Sequence, residues 1–146
     1  MLNQFLVGGI VSVFCITIHA LVMTAIVRVA KALAAKRRTL HPSAFLVGVM
    51  IATVCVLMAA HTCEVLVWAL AYGVVGAAPT GSGLVYFSFV NYTTLGYGDV
   101  LPVKEWQLLG PMTAMNGVLL FGWSTAVIFE VLRRAMDLGA SSTEPD

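Results

Sequence analysis

Hydrophobic and polar positions fall along this chain in long blocks. Three apolar runs, residues 5–27, 44–72 and 108–129, are each long enough to cross a hydrocarbon core as helix, which takes about 20 residues. Between the first two, "RVAKALAAKRRTLHP" alternates alanine and leucine with Lys/Arg and predicts a short basic amphipathic helix along the cytoplasmic surface. Pro42 then suits the first turn of the second helix, where a missing N–H costs nothing. That helix gives out at "GVVGAAPTGSG", a loop by composition, with Ser82 placed to cap the next helix. "LVYFSFVNY", the nine residues from Leu84 to Tyr92, is too short to span and has the length of a re-entrant segment. It passes directly into "YTTLGYGD", residues 92–99. After "VLPVKEW", with Trp106 as an interfacial anchor, the third helix begins, interrupted in its middle by Gly117 and Gly122. The tail "GASSTEPD" is polar, and disorder is expected there.

Composition agrees with the blocks. Hydrophobic residues make up 60% and charged residues 10% of the chain, against about 45–50% and 25% in soluble domains, so an integral membrane protein is expected. The first run reads as a retained helix, since "MLNQ" carries no positive charge and no small-residue cleavage site follows a short apolar core. Seven of the eight basic residues follow the first or the third run. The positive-inside rule then sets those ends in the cytoplasm, with the N-terminus and "YTTLGYGD" outside. Cys15, Cys55 and Cys63 lie inside apolar helices without a C-x-x-C pair, which favours packing over metal or redox work. Nothing supports nucleic-acid binding or enzymatic chemistry.

Backbone that is neither helix nor barrel strand is tolerated at membrane depth only where protein buries it or where it lines a water-filled path. A half-helix followed by a glycine-rich return meets that condition in a pore. In "TLGYG" the two glycines allow backbone angles that other residues resist, so successive carbonyls can turn to one side and replace the water shell of a cation. The C-terminal end of the half-helix would add its partial negative charge. One strand cannot surround an ion, and four copies around an axis close the ring most simply. The expected fold is an all-α membrane protein, three transmembrane helices plus a re-entrant pore helix and filter loop, assembled as a homotetramer in contact with lipid. Its expected segments are an additional N-terminal helix (1–28), the basic linker (29–42), the pore domain (43–134) and the tail (135–146).

"TTLGYGD", Thr93 to Asp99, closely resembles the selectivity-filter signature of potassium channels, and the resemblance extends through the second helix, the short helix, the loop and the third helix. It implies potassium-selective conduction, with K⁺ held at Thr94, Leu95, Gly96 and Tyr97, the hydroxyl and carbonyl of Thr94 and one carbonyl from each of the others. It implies that Gly98 completes the outer end, that Asp99 braces the loop from behind beside Thr93, and that Gly117 is an inner-helix hinge. No cofactor beyond the permeant ion is implied, and the plasma membrane of a bacterium is the expected location. Leu95 stands where the family most often has valine or isoleucine, its side chain expected against the pore helix. Tyr86 and Phe87 replace a pair of tryptophans, and the phenol of Tyr86 can still donate toward Asp99. Val90 replaces a glutamate found behind the filter in some members.

The first helix has no arginine between residues 5 and 27, which argues against a voltage sensor, and the polar tail leaves no room within it for a ligand-binding domain. Control would come from lipid, pH, tension, the ion or a partner. Thr113, Asn116, Leu120 and Ser124 recur at helical spacing and are expected to line the cavity, although Asn116 could instead bond to a neighbouring helix. Gly117 could equally serve close packing. Glu64, an acid inside an apolar helix, either hydrogen-bonds with His61 behind the filter, its protonation tuning conductance, or snorkels to the headgroups. Glu130 is expected to pair with Arg133 and Arg134 on the surface. Two rival functions remain: a weakly selective cation channel or transporter subunit, and a membrane metal protein using His61 and Glu64 at i, i+3 spacing with His19 and Cys63. Spacing alone disfavours the metal. His19 lies nine residues before Arg28 whereas His61 lies nineteen after Pro42, which suggests different depths, and a complete site needs three or four ligands.

Overall fold

The computed structural model describes residues 1–36 and 42–140. They form α1 (Leu2–Lys36), α2 (Pro42–Val75), α3 (Leu84–Tyr92), a 3-10 turn at Lys104–Trp106 and α4 (Leu109–Ala140). Three of these helices are long and apolar enough to cross a membrane, over Leu2–Ala32, Ser43–Val75 and Lys104–Met136. The three spans and the short helix α3 therefore stand where the hydrophobic blocks predict them.

The ends differ from expectation. α1 continues past Arg28 to Lys36, because "RVAKALAAK" contains neither Gly nor Pro and is rich in strong helix formers. Residues 29–36 thus extend the first helix, and residues 37–41 of the expected linker lie outside the described residues. α4 likewise runs on to Ala140, past Glu130, which pairs with Arg133 at 2.9 Å and with Arg134. Residues 135–140 of the expected tail are helical, and 141–146 lie outside the described residues. Ser82 does not cap α3. The cap is Gly83, while the Ser82 hydroxyl donates back to the Pro79 carbonyl at 2.5 Å.

The start of α1 meets the start of α4. The side-chain oxygen of Gln4 accepts the N–H of Leu108 at 2.8 Å, and Met112 packs over Gly8. The two helices run in the same direction and α2 runs against both. Cys15, Val65, Trp68, Tyr72, Phe87, Tyr92, Leu109 and Leu120 form one core around α3, with Trp106 packed at its edge. Met23, Ile26, Leu57, Val127 and Val131 form a second core between the three long helices. The loops are tied together where the N–H of Val103 donates to the Ala77 carbonyl at 2.9 Å.

The inward stripe of α4 is Thr113, Asn116, Leu120, Ser124, Val127, Val131 and Ala135, all buried within one chain. This corrects the expectation that Thr113, Asn116, Leu120 and Ser124 line a cavity. A second copy that docks without rearranging the helices covers more surface and uncovers none of these residues. Thr113 bonds to the Tyr72 hydroxyl and Asn116 accepts from the Trp68 indole at 3.1 Å. Leu120 lies in the core, and Ser124 reaches two histidines. Polar side chains in an apolar medium find one another, which places them between helices. Only 22%, 17% and 33% of the most apolar windows of α1, α2 and α4 are buried, so most of each helix is left to meet lipid or other chains.

Candidate functional site

The segment Thr93–Asp99 emerges from the end of α3 with every residue exposed. Its first turn folds back on the helix. Thr93 closes α3 by its N–H (3.0 Å) and hydroxyl (2.7 Å), both donating to the Phe89 carbonyl. The Thr94 N–H donates to the Asn91 carbonyl, and the Leu95 and Gly96 N–H groups both donate to the Val90 carbonyl, at 3.0 and 3.4 Å. These loop amides satisfy helix-end carbonyls that would otherwise lack partners.

Beyond that turn the backbone alternates in hand. Thr94, Gly96 and Gly98 have φ of 60°, 59° and 77°, while Leu95 and Tyr97 between them stay at negative φ. Alternation of this kind lets successive carbonyls project to one side, unlike a β-strand, where they point to opposite sides. Glycine adopts positive φ freely, whereas the branched side chain of Thr94 does so under strain of a kind that concentrates at functional sites. Leu95 and Tyr97 are 53% and 69% exposed.

Both ends of the segment are anchored. The Tyr86 hydroxyl, in the first turn of α3, donates to Asp99 Oδ2 at 2.7 Å, and this bond holds the phenol above its ordinary pKa. At the other end α4 passes directly against Tyr92: a Cβ on Gly117 would stand 2.1 Å from the Tyr92 carbonyl oxygen. Gly117 lies within the unbroken α4, so close approach is the role its surroundings define.

Beside Tyr92 lies a buried polar cluster drawn from all four helices. His19 Nδ1 is 2.7 Å from Glu64 Oε1, and His61 Nδ1 is 3.0 Å from Glu64 Oε2. The Tyr92 hydroxyl donates to Glu64 Oε2 and lies 2.9 Å from His61 Nδ1. On the far side, Ser124 Oγ is 2.9 Å from His61 Nε2 and 3.2 Å from His19 Nε2. His19 and Glu64 are wholly buried and His61 nearly so. Glu64 therefore does not snorkel; it reaches the residue immediately before the glycine loop, as the hydrogen-bonding alternative requires.

His19 corrects the depth argument. Counted from the ends of the described helices, it lies seventeen residues before Lys36 and His61 nineteen after Pro42, a height difference of about 3 Å at 1.5 Å per residue. Arg28 is a poor marker of the membrane boundary, because the helix does not end there. Spacing along the chain connects only His61 to Glu64, and Tyr92 and Ser124 are the members that sequence reasoning does not assign to the cluster. The signal available for Ser124 is its polarity within an apolar helix. Cys63 is exposed and outside the cluster, whereas the buried Cys15 thiol lies 4.0 Å from the Glu64 carbonyl.

No curated protein and no solved structure matches this chain. A protein-family model described as ion channel matches residues 60–134, just over half of the chain, from His61 and Glu64 through α3 and the glycine loop to the Arg133–Arg134 end of the third span. The chain belongs to this ion-channel family.

Proposed function

We propose that the chain is the subunit of a potassium-selective channel, in which four copies bring their Thr93–Asp99 segments around one axis. The observation that carries this reading is the alternation of positive φ at Thr94, Gly96 and Gly98 in an exposed "TLGYG". A ring of such segments would present the carbonyls of Thr94, Leu95, Gly96 and Tyr97, with the Thr94 hydroxyl, as a ladder of oxygen sites for dehydrated K⁺. Gly98 forms its outer end. Tyr86 and Asp99 brace the ladder from behind, Thr93 closes α3 beneath it, and Glu64 with His61 holds Tyr92 at its base.

Four copies supply what one chain lacks. The loop and the apolar faces of all three spans are uncovered in the single chain, and a neighbouring copy is the cover that also closes the ion path. The inner vestibule is assigned to a different face of α4 from the one expected. Gly117 points at α3 and Met112 at α1, with the buried stripe between them; on the other side of the helix, at about 100° per residue and next to the Gly117 face, the uncovered residues Val118, Phe121, Thr125 and Phe129 form the strip nearest the axis. The distribution of basic residues supports an orientation with the N-terminus and the loop outside and the C-terminus in the cytoplasm, and the proposed location is the plasma membrane of a bacterium.

The test is the reversal potential of purified protein in liposomes under opposed K⁺ and Na⁺ gradients. A potential that follows the K⁺ gradient is expected. One that sits midway would make the chain a weakly selective cation channel and would overturn the proposal.

A further inference from the structure

We propose that His19, His61 and Glu64, with Tyr92 beside them, form a binding site for a divalent transition metal of the zinc class, which staples α1 to the rest of the bundle. The inference goes beyond the proposed K⁺ selectivity and does not depend on it.

Three ligand-type side chains from two helices converge here, with their ligand atoms within 4.8 Å of one another. A tetrahedral centre with metal–nitrogen and metal–oxygen bonds of about 2.0–2.1 Å sets its ligand atoms about 3.3 Å apart, so the spacings of 2.7 and 3.0 Å from the two Nδ1 atoms to the two oxygens of Glu64 need to open by roughly half an ångström. The Tyr92 hydroxyl, already on Glu64 Oε2 and 2.9 Å from His61 Nδ1, is the fourth donor. Two imidazoles and two oxygens suit zinc and its neighbours better than magnesium or calcium, which prefer oxygen shells.

The orientation of the rings is the second observation. Both Nδ1 atoms face one carboxylate and both Nε2 atoms face one serine oxygen. A serine oxygen can accept from two N–H groups at once. If it does so, each histidine carries its proton on Nε2, and two Nδ1 lone pairs are left aimed at a carboxylate. In that tautomer two lone pairs and a carboxylate share only the Tyr92 hydroxyl proton, and a cation among them would relieve their repulsion. The arrangement is also what a metal-bound histidine needs, its second nitrogen held by a hydrogen-bond partner that fixes the tautomer.

Proton bookkeeping supports the same conclusion. The closed circuit His19–Glu64–His61–Ser124 contains four contacts. Two neutral histidines, one serine and an ionised glutamate supply three protons, so a metal-free circuit fills its fourth contact and loses its net charge only by taking up one further proton, as an imidazolium beside Glu64. A divalent ion competes for the place of that proton. If Tyr92 joins as phenolate, releasing its proton, the two carboxylate and phenolate charges balance the ion, which favours burial. His19 lies outside the residues matched by the ion-channel family, so the metal would join the first helix to the family-matched core at the residue that precedes the glycine loop.

The experiment is elemental analysis of the purified full-length chain after incubation with ZnCl₂ and removal of free metal, together with the thermal midpoint with and without Zn²⁺. One zinc per chain and a raised midpoint are expected. His19→Gln and Glu64→Gln should each lose the metal, while Ser124→Ala should bind it about 10–100-fold more weakly, as removal of an outer partner does. Should a glutamine variant fail to fold, Co²⁺ added to the parent chain gives an independent readout, tetrahedral visible absorption displaced by Zn²⁺. A folded parent chain that retains no zinc and shows no cobalt spectrum would overturn the proposal and leave the cluster as a proton-linked network. Zinc retained equally by His19→Gln and Glu64→Gln would overturn it as well.

Discussion

Gly117 of α4 lies so close to the carbonyl of Tyr92 that a Cβ at this position would stand 2.1 Å from that oxygen. The helix that comes after the glycine loop is thereby seated against the residue that precedes it. Backbone is on the receiving side of the clash, so no side chain can swing away to relieve it. Gly117→Ala should destabilise the protein by about 1–3 kcal/mol, the usual cost of overpacking. Gly122→Ala, with nothing within 4 Å, should be close to neutral. Thermal midpoints of the two variants check the contrast. Equal midpoints with altered opening in Gly117→Ala alone would restore the hinge reading.

Gly96 presents the opposite case. An added Cβ would meet only the Thr94 carbonyl at 3.8 Å, an ordinary contact, but φ is +59°. An L-residue held there costs about 1–2 kcal/mol, borne by the proposed coordinating backbone itself. Gly96→Ala should therefore fold and assemble while losing K⁺ flux in liposomes. Unchanged flux would remove the segment from the ion path.

Much of this arrangement is legible from residue order. The bounds of α3 and the exposed glycine loop follow from local signals, a nine-residue apolar segment and two glycines, whereas the Tyr86–Asp99 hydrogen bond is what the resemblance to potassium channels implies. The inward face of α4 is not legible, for a physical reason. In a soluble helix the polar stripe marks the side in contact with water, whereas in a membrane both lipid and core are apolar, and Thr113, Asn116 and Ser124 are drawn to partners between helices. The height of His19 is hidden because Arg28 resembles a boundary, although a helix ends where its backbone is broken and not where its first charge falls.

The Tyr86 phenol offers a pH test. Its hydrogen bond to Asp99 raises its pKa, so the contribution of the bond is fully present below the ordinary phenol value of about 10 and is lost as pH rises through the raised value. Steady K⁺ current should hold through neutral and mildly alkaline external pH and decay only above about 10. Tyr86→Phe, lacking the donor, should show the faster decay at every pH. A parent-like time course in Tyr86→Phe would show that the bond does not brace the loop.

Trp68 and Asn116 share a buried hydrogen bond of 3.1 Å between α2 and α4. Asn116→Leu keeps the branched heavy-atom skeleton, with somewhat bulkier methyl groups, and leaves the indole N–H without its acceptor. Interhelical bonds of this kind contribute about 0.6 kcal/mol on average and up to about 1.7. A small fall in thermal midpoint with ion block by internal cations unchanged is expected, since the side chain faces the bundle interior. A changed block would return Asn116 to the ion path.

The two faces of α4 can be told apart by chemistry. Leu120 is 1% exposed in the single chain and sits in the core with Val65 and Tyr92, whereas Thr125 lies on the uncovered strip with Val118 and Phe129. If four chains assemble around that strip, Thr125 faces water inside the vestibule, and an apolar neighbour at Phe129 narrows its inner end. A charged thiol reagent added from the cytoplasmic side needs water to reach its target and an ionisable thiol when it arrives. Thr125→Cys supplies both, and Leu120→Cys neither. Modification of Thr125→Cys should reduce current rapidly, and prior occupation of the pore by a large internal cation should slow it. Leu120→Cys should stay unmodified over the same interval. Resistance at Thr125 with reaction at Leu120 would mean that α4 turns its polar stripe to the ion path in the assembled channel, by a rotation of the whole helix relative to α2 that breaks the Trp68–Asn116 and Tyr72–Thr113 bonds together.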